Sequence, residues 1–504
     1  MMDFGKLSER DEKDYVVKIA ERSALLSNGT CFADEIGLLA TTLSSIHKHL
    51  NNRSVPSNVP WMISLRDAVR VTRIMKFLIE FNNKLAPAFV FFSQRTFSHL
   101  LLLTVYVCYV LRLPAKGDQD ALLSIICAEL KIETVDANMN ITTTMKQFVD
   151  LGTLPEGVRK TTYFLENTFA MFLALISRTP IIIIGAPGTS KSLSLTVLLS
   201  FLSKVNTGHS GFHRIFPHHF QGSHAATTKS VMTVVDRVKK NAIADANVRH
   251  ALIMDEISLL LDAPANPLKC LHSVLEPREE KVPLFAFIGI SNSDFDAAPS
   301  SRAIVIHRQE PSAAELTSLL KEIGQYSDDI IPQLLTNIHE AMKSKVSEVY
   351  SGYGNNFFGM RDAYQLAKWL NRNGFSSRDR RVAFLRAYGG LPLKNSAVFE
   401  GIVKIFSDNV ANSEGDQNCL FWDQNASYTG RQLYKDSLKA CLLSLQDPTP
   451  DSRHVLFIGS LQFSLHLVYR SRQDVVVIQG SRFKKDAYNM VSYNHLSKVI
   501  TAVK

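Results

Sequence analysis

Three groups of residues in this chain have the types and spacing to handle a polyphosphate. The first is Gly185-Ala186-Pro187-Gly188-Thr189-Ser190-Lys191-Ser192, set between Ile181–Ile184 and the apolar stretch Leu193–Leu202. Backbone N–H groups of a glycine loop and of the helix it opens surround phosphate oxygens. The lysine reaches the outer phosphates, and the serine hydroxyl is a ligand for Mg²⁺. The spacing departs from G-x4-G-K-[ST] at one place, where Ser190 stands for the last glycine. The second group is Asp255-Glu256, directly after the apolar run Ala251–Met254. In an open α/β sheet ligands gather at the carboxyl ends of strands. Asp255 there suits the Mg²⁺ shell and Glu256 suits an attacking water; the plain alternative is a strand that ends on two acids. The third is Asn292, at the end of Leu284–Ser291. Its amide orients a water without adding charge, or merely caps the strand.

Two arginines extend this set. Arg302 precedes Ala303–Ile306, with Arg308 just after. Arg302 reads either as a surface charge or as an arginine finger aimed at a neighbouring module's γ-phosphate. Arg361 follows Gly359-Met360 and opens a helix. It is either a lid arginine that folds onto the γ-phosphate or part of a surface turn.

The elements that position these residues follow from apolar spacing. Four consecutive isoleucines predict a strand buried on both faces. The runs at 251–254, 284–291 and 303–306 predict three more strands. Phe212–Gln221 predicts a strand broken by Pro217, with His213, His218 and His219 as loop histidines and not a metal cluster. Helices are expected over Glu156–Ile176 and Ser230–Lys240, and from Ser312 onward, where Ser312 and Glu315 form a capping box. Residues 1–150 read as helical, with segments at Leu38–Leu50, from Trp61, at Thr96–Leu113 and at Gln119–Leu130. None of these residues is catalytic by type, and the polar stretch Asp136–Thr144 reads as a boundary loop. The last hundred residues change character. Asn412–Gln417 is linker-like, Val455–Ile458 and Val475–Ile478 predict strands, and Ser492–Val503 a helix.

Composition narrows the class. The 504 residues suggest roughly two to four units, and 46% hydrophobic with 20% charged residues describes a globular chain. The net charge of +9 is scattered. The short cluster Arg372, Arg378, Arg380 and Arg381 lacks interleaved aromatics, so it reads as a solvated face and no nucleic-acid partner is expected. The six cysteines are far apart with no C-x2-C pair, which argues against zinc sites and a disulfide framework. The Met1 end has no apolar leader, and Leu100–Leu111 is too short to span a bilayer. A cytoplasmic setting without a transmembrane segment is expected.

Ser64-Leu65-Arg66-Asp67-Ala68 matches Gly359-Met360-Arg361-Asp362-Ala363 as a weak internal repeat, each copy opening a helix. The first copy has no P-loop before it in this chain. Residues 1–150 therefore read as the helical lid of a preceding module.

With these residues assembled, the chain resembles the mysterin-type giant AAA+ E3 ubiquitin ligases. The resemblance rests on Gly185–Leu193 with serine before the lysine, Asp255–Leu259 and Ala263–Glu276, Gly289–Asn292, Phe358–Asp362, and Gly480–Asp486. It implies an α/β P-loop AAA+ core at 151–310 and a helical lid at 311–410. It also implies a preceding module's lid and tail at 1–150, and at 411–504 a linker with the start of a further module. It implies ATP and Mg²⁺ as cofactors, the P-loop residues with Asp255 as their binding set, and Ser192 and Asp255 as metal ligands. Glu256, Asn292, Arg361 and Arg302 carry the expected catalytic roles. Adjacent AAA modules in cis, or a neighbouring protomer, are the expected partners. Ubiquitin-pathway proteins would enter only through a full-length ligase, since no RING-type cysteine spacing occurs here. A nucleotide-binding scaffold without turnover and a dynein- or midasin-like motor segment are the competing readings.

Overall fold

A computed structural model describes residues 8–22, 33–52, 64–84, 95–155, 158–205, 214–245, 248–261, 263, 267–275, 283–293, 301–349, 358–373, 383 and 387–388. The readings made above for 389–504 lie outside the described residues, as do His213 and the cluster Arg378, Arg380 and Arg381. The chain divides into two bodies. One comprises Met1–Gln325 with Gly359–Arg361, the other Tyr326–Phe358 with Asp362–Lys504.

The first body holds the sheet. Its five strands are β1 (Ile181–Gly185), β2 (Arg214–Gln221), β3 (Val248–Asp255), β4 (Ala286–Ser291) and β5 (Ile304–Arg308). They lie in the order β2-β3-β4-β1-β5 and every pair is parallel. The isoleucine run alternates as pleating requires. Ile181 and Ile183 enter one hydrophobic cluster, and Ile182 and Ile184 enter the cluster on the opposite face. Both faces are covered, which is why β1 needs no polar alternation.

Among the described residues, seven helices precede the sheet: α1 (Glu9–Arg22), α2 (Ala33–Asn52), α3 (Leu65–Lys84), α4 (Phe97–Cys108), α5 (Lys116–Leu130), α6 (Thr134–Asp150) and α7 (Thr162–Ser177). A 3-10 turn, Val110–Arg112, follows α4 and packs against β5. The sheet is completed by α8 (Lys191–Val205), α9 (Thr228–Ala244) and α10 (His272–Leu275). One hydrophobic cluster joins Val16, Leu43, Ile74, Leu103 and Phe148 to Ile183, Ile288 and Ile306. The leading helices and one face of the sheet thus share a core.

Three readings need correction. Asp136–Thr144 is no boundary loop but lies within α6, where Ala137, Ile141, Thr144, Met145 and Phe148 are buried at helical spacing. That apolar stripe outweighs the weak helix propensity of the intervening Asn and Thr residues. The helix expected from Glu156 begins at Thr162, because Thr161 caps it by accepting from the Phe164 N–H. Pro217 does not break β2, which runs through it paired with Ala251. An edge strand tolerates proline, and His218 and His219 therefore lie on a strand.

α11 (Ala313–Gly324) begins with the expected capping box between Ser312 and Glu315, and Gln325 ends it in the left-handed region at φ 56°. The second body starts at the next residue. Its described residues include α12 (Ile330–Val349) and α13, which runs Met360–Asn373 and leaves the first body after Arg361. Leu335, Ile338, Met342, Leu366 and Leu370 are buried here. Tyr326 donates to the Ala367 carbonyl at 2.9 Å, and His339 Nδ1 meets the Tyr388 hydroxyl at 3.1 Å.

The start of α3 is pinned by charge. Asp67 Oδ2 accepts from the Ser64 N–H at 3.0 Å. Its Oδ1 accepts from Arg70 Nη1 and from Arg112 Nη1, the latter at 2.7 Å. All three side chains are buried. Burial works to raise the Asp67 pKa, but Arg112 and Arg70 outweigh it and hold the carboxyl below its ordinary range. This stabilisation is present above the unfolded carboxylate pKa and is lost as pH falls through the folded one. Asp67→Ala leaves two arginines facing each other without their shared anion. It should cost about 3–5 kcal/mol, read as a lower guanidinium midpoint by circular dichroism; a loss under about 1 kcal/mol would contradict a stabilising node.

Candidate nucleotide site

The loop after β1 has a backbone that few residues accept. Gly185 pairs with Arg308 in the β1–β5 register. A Cβ at Gly185 would lie 2.7 Å from both Arg308 Cβ and the Arg308 carbonyl oxygen. Gly188 has φ 101°, and a Cβ there would come within 3.1 Å of Met360 Cβ. Ser190 takes φ 61°. Its carbonyl accepts from the Ser194 N–H at 2.8 Å, so it stands at the N-terminus of α8. The left-handed turn explains why glycine is usual at this position; serine adopts it at a steric cost.

Lys191 is the first residue of α8 and is buried. Its Nζ donates to the carbonyls of Gly185 and Ala186, the second at 2.9 Å, and to Thr189 Oγ1 at 3.3 Å. Burial lowers its pKa to about 8; Glu256 and Asp255 pull it upward and Arg361 downward. Ser192 follows on the exposed side of the first turn, where helical N–H groups lack partners within the helix.

The acids arrive from β3. Asp255 ends the strand, and its Oδ1 accepts the Glu256 N–H at 2.9 Å. Glu256 takes φ 52°, turning the chain away from the strand direction. Gly222 supports this turn. Its N–H donates to the Asp255 carbonyl at 2.8 Å, and a Cβ on it would lie 2.1 Å from the Glu256 carbonyl oxygen. Glu256 Oε1 accepts from Asn292 Nδ2 at 2.6 Å. Because β3, β4 and β1 are consecutive parallel neighbours, their carboxyl ends bring Glu256, Asn292 and the loop to one edge of the sheet.

Met360 and Arg361 reach the loop from the start of α13. The Arg361 backbone nitrogen lies 3.7 Å from a Cβ built on Gly188, and the Arg361 charge is felt at Lys191. Arg302 is not brought to this cluster. It is half-buried and precedes β5, whose Ile304 N–H donates to the carbonyl of Pro180, the residue before β1. That is the amino end of the sheet, opposite the loop. Arg308 is buried and its guanidinium is engaged by Glu166 and Asn167, so it cannot act as an exposed finger.

These residues fit a polyphosphate with a divalent cation. The ammonium of Lys191 is held by uncharged oxygens, the first turn of α8 supplies N–H donors, and Gly188 admits close approach. Among the described residues no group of three or more His, Cys, Asp or Glu could hold a metal. A Mg²⁺ that keeps waters and phosphate oxygens as ligands needs only the Ser192 hydroxyl and Asp255 from the protein. Gly222 and Asn167, which support this site, were not singled out from sequence. A glycine one residue past a strand was the available sign for the former; the latter had none.

Ser190→Gly should relieve the left-handed strain and raise the unfolding free energy by about 0.5–1 kcal/mol. The check is the thermal midpoint of the full chain, and a lower midpoint would contradict the assignment of strain.

Residues 157–315 match the family model for the RNF213 AAA domain. Human E3 ubiquitin-protein ligase RNF213 is 27% identical over 424 residues, covering 77% of this chain and 8% of the ligase. The mouse protein is 24% identical over 420 residues, with the same coverage of each. The zebrafish protein rnf213-beta is 26% identical over 389 residues, covering 73% of this chain and 7% of its own length. The chain thus spans under a tenth of the length of these curated relatives. Among solved structures, the Thermotoga maritima RuvB Holliday junction branch migration motor aligns at 15% identity and a TM-score of 0.28, over 60% of this chain and 93% of that one. Caenorhabditis elegans PCH-2 aligns at 13% identity and a TM-score of 0.23, over 54% and 70%. Among the described residues no helix is long and apolar enough to cross a membrane. With the five-stranded parallel sheet and the P-loop between β1 and α8, residues 157–315 form an α/β, nucleotide-binding AAA+ module of the RNF213 type.

Proposed function

We propose that this module binds ATP with Mg²⁺ and hydrolyses it to ADP and phosphate, passing its nucleotide state to adjacent modules of a larger ligase-type assembly. The observation that carries the reading is the 2.6 Å bond from Asn292 Nδ2 to Glu256 Oε1, formed at the edge of the sheet that holds Lys191. The amide fixes one carboxylate oxygen and leaves the other to accept a hydrogen bond from the attacking water. Ser192 and Asp255 would hold the cation, which when bound neutralises phosphate charge. Gly185–Ser190 would wrap the phosphates with backbone N–H groups. Lys191 and Arg361 would meet charge on the outer phosphate, with Arg361 carried on the helix that continues into the second body.

Arg302 would act on a neighbour. It sits at the amino end of the sheet, and the preceding carbonyl, that of Ser301, is held by Arg70 Nη2 of α3 at 2.6 Å. In this reading α3 belongs to the lid of a preceding module, with Arg66 standing where Arg361 stands in the other copy of the repeat. Residues 1–150 would then present that lid, 151–310 the core, 311–410 its own lid, and 411–504 the approach to a further module. The ubiquitin-transfer chemistry and ubiquitin-pathway partners of the longer relatives would reach this chain only as part of such a protein. A scaffold that binds ATP without turnover is the second reading, favoured by the position of Arg302 away from the loop. Turnover that rises steeply with protein concentration separates an assembly-dependent ATPase from that scaffold, for which turnover stays near zero.

Lys191→Ala should abolish ATP binding in an equilibrium titration. Glu256→Gln should bind within a few-fold of the wild type yet lose about 10²–10⁴-fold in turnover; wild-type turnover in this variant would contradict the role of Glu256. A pH effect follows from Lys191. With its pKa near 8, the lysine is partly neutral at pH 8, and an incoming polyanion favours its charged form. Binding should therefore take up protons, and affinity should fall as pH rises through 8. Calorimetry in buffers of different ionisation enthalpy reads this uptake. Proton release on binding would contradict it.

A further inference from the structure

A continuous run of buried hydrogen bonds leads from α4 to the backbone of the phosphate loop. The Tyr106 hydroxyl donates to Glu166 Oε1 at 2.7 Å. Glu166 Oε2 accepts from Arg308 Nη1 at 2.6 Å. Arg308 Nε donates to Asn167 Oδ1 at 2.8 Å, and Asn167 Nδ2 donates to the Thr189 carbonyl at 3.1 Å. All five residues are buried, Asn167 completely. The direction of the run is set by chemistry. A guanidinium only donates, so the Asn167 oxygen faces Arg308 and its NH₂ faces the loop.

The loop end is also fixed. The Thr189 hydroxyl donates to the Ala186 carbonyl at 2.8 Å and accepts from Lys191 Nζ at 3.3 Å. Arg308 additionally pairs with Gly185, where the loop begins. One arginine therefore meets the loop at its first residue directly and at Thr189 through Asn167. Stability is a poor explanation for such an arrangement, because a buried ion pair is often no better than an apolar core of the same volume. Its bonds converge on the segment that must present N–H groups and the lysine in register.

We propose that Arg308 and Asn167 are positioning residues for the phosphate loop, and that Tyr106 makes the upstream helices an input to its nucleotide affinity. The proposal rests on the reading that the loop binds ATP. Loss of the Tyr106 hydroxyl weakens the hold of Glu166 on Arg308, and that slack reaches Thr189 through Asn167. Polarisation along aligned bonds makes each depend on the last. The same run works in reverse: a filled loop tightens Asn167, Arg308 and Glu166 against α4, as linkage demands.

The test uses the full chain with Tyr106→Phe, which removes one oxygen far along the run, and Asn167→Leu, which keeps the branched shape and removes both amide contacts. Two quantities are read: deuterium uptake of the backbone over 186–192 without nucleotide, and the Kd for Mg·ATP. Both variants should exchange faster than wild type over 186–192 and bind Mg·ATP about 5-fold or more weakly. In Tyr106→Phe, whose changed residue lies outside the binding set, turnover per bound ATP should change less than the Kd, because Glu256 and Asn292 are untouched. If Asn167→Leu fails to fold, Tyr106→Phe alone decides. Wild-type exchange and wild-type Kd in folded Tyr106→Phe would overturn the proposal, whatever its thermal midpoint. A wild-type chain that binds no ATP would sink the ATP reading instead, while the exchange measurement still decides the positioning roles.

Discussion

The site depends on one buried ammonium. Lys191 is held by two carbonyls and a hydroxyl, and none of these contacts carries a negative charge. A buried cation without an anion in contact is costly, and its pKa near 8 records that cost. The surrounding structure keeps it there. β1 and α8 fix the two ends of the loop, Gly188 and Ser190 accept the left-handed turns between them, and Glu256 and Asp255 supply a distant negative field. An arriving polyphosphate would complete the charge balance that the fold leaves open.

A second constraint surrounds β5. This edge strand is tied to the leading helices at both ends, by Arg70 to the Ser301 carbonyl before it and by Glu166 to Arg308 at its end. The 3-10 turn Val110–Arg112 also packs against this strand. Asp67 gathers Arg70 and Arg112 at the same junction. The helices before the sheet are therefore part of the frame that holds β5.

Much of the fold could be read from the sequence because its signals are local. Four isoleucines mark a doubly buried strand, Gly185–Ser192 mark the turn from that strand into a helix, and Ser312 with Glu315 mark a helix start. Asp255-Glu256 and Asn292 were legible as strand-end polar groups, although their mutual contact depends on β3 and β4 being neighbours. The misreadings were places where tertiary burial overrode composition. The Asn- and Thr-rich segment 136–144 is helical because its alternate turns meet the core, and Pro217 is tolerated because its strand lies at an edge. The run from Tyr106 to Thr189 was invisible in sequence. Its members are scattered over α4, α7 and β5, and each residue alone has an ordinary reading as a core polar group.

The most direct test of catalysis at this site is a single-turnover experiment with the wild-type chain in excess over ATP and Mg²⁺ present. Phosphate should be released in proportion to the ATP bound, so that bound nucleotide is recovered as ADP. Recovery of bound ATP intact at every protein concentration would contradict hydrolysis and leave a nucleotide-binding scaffold.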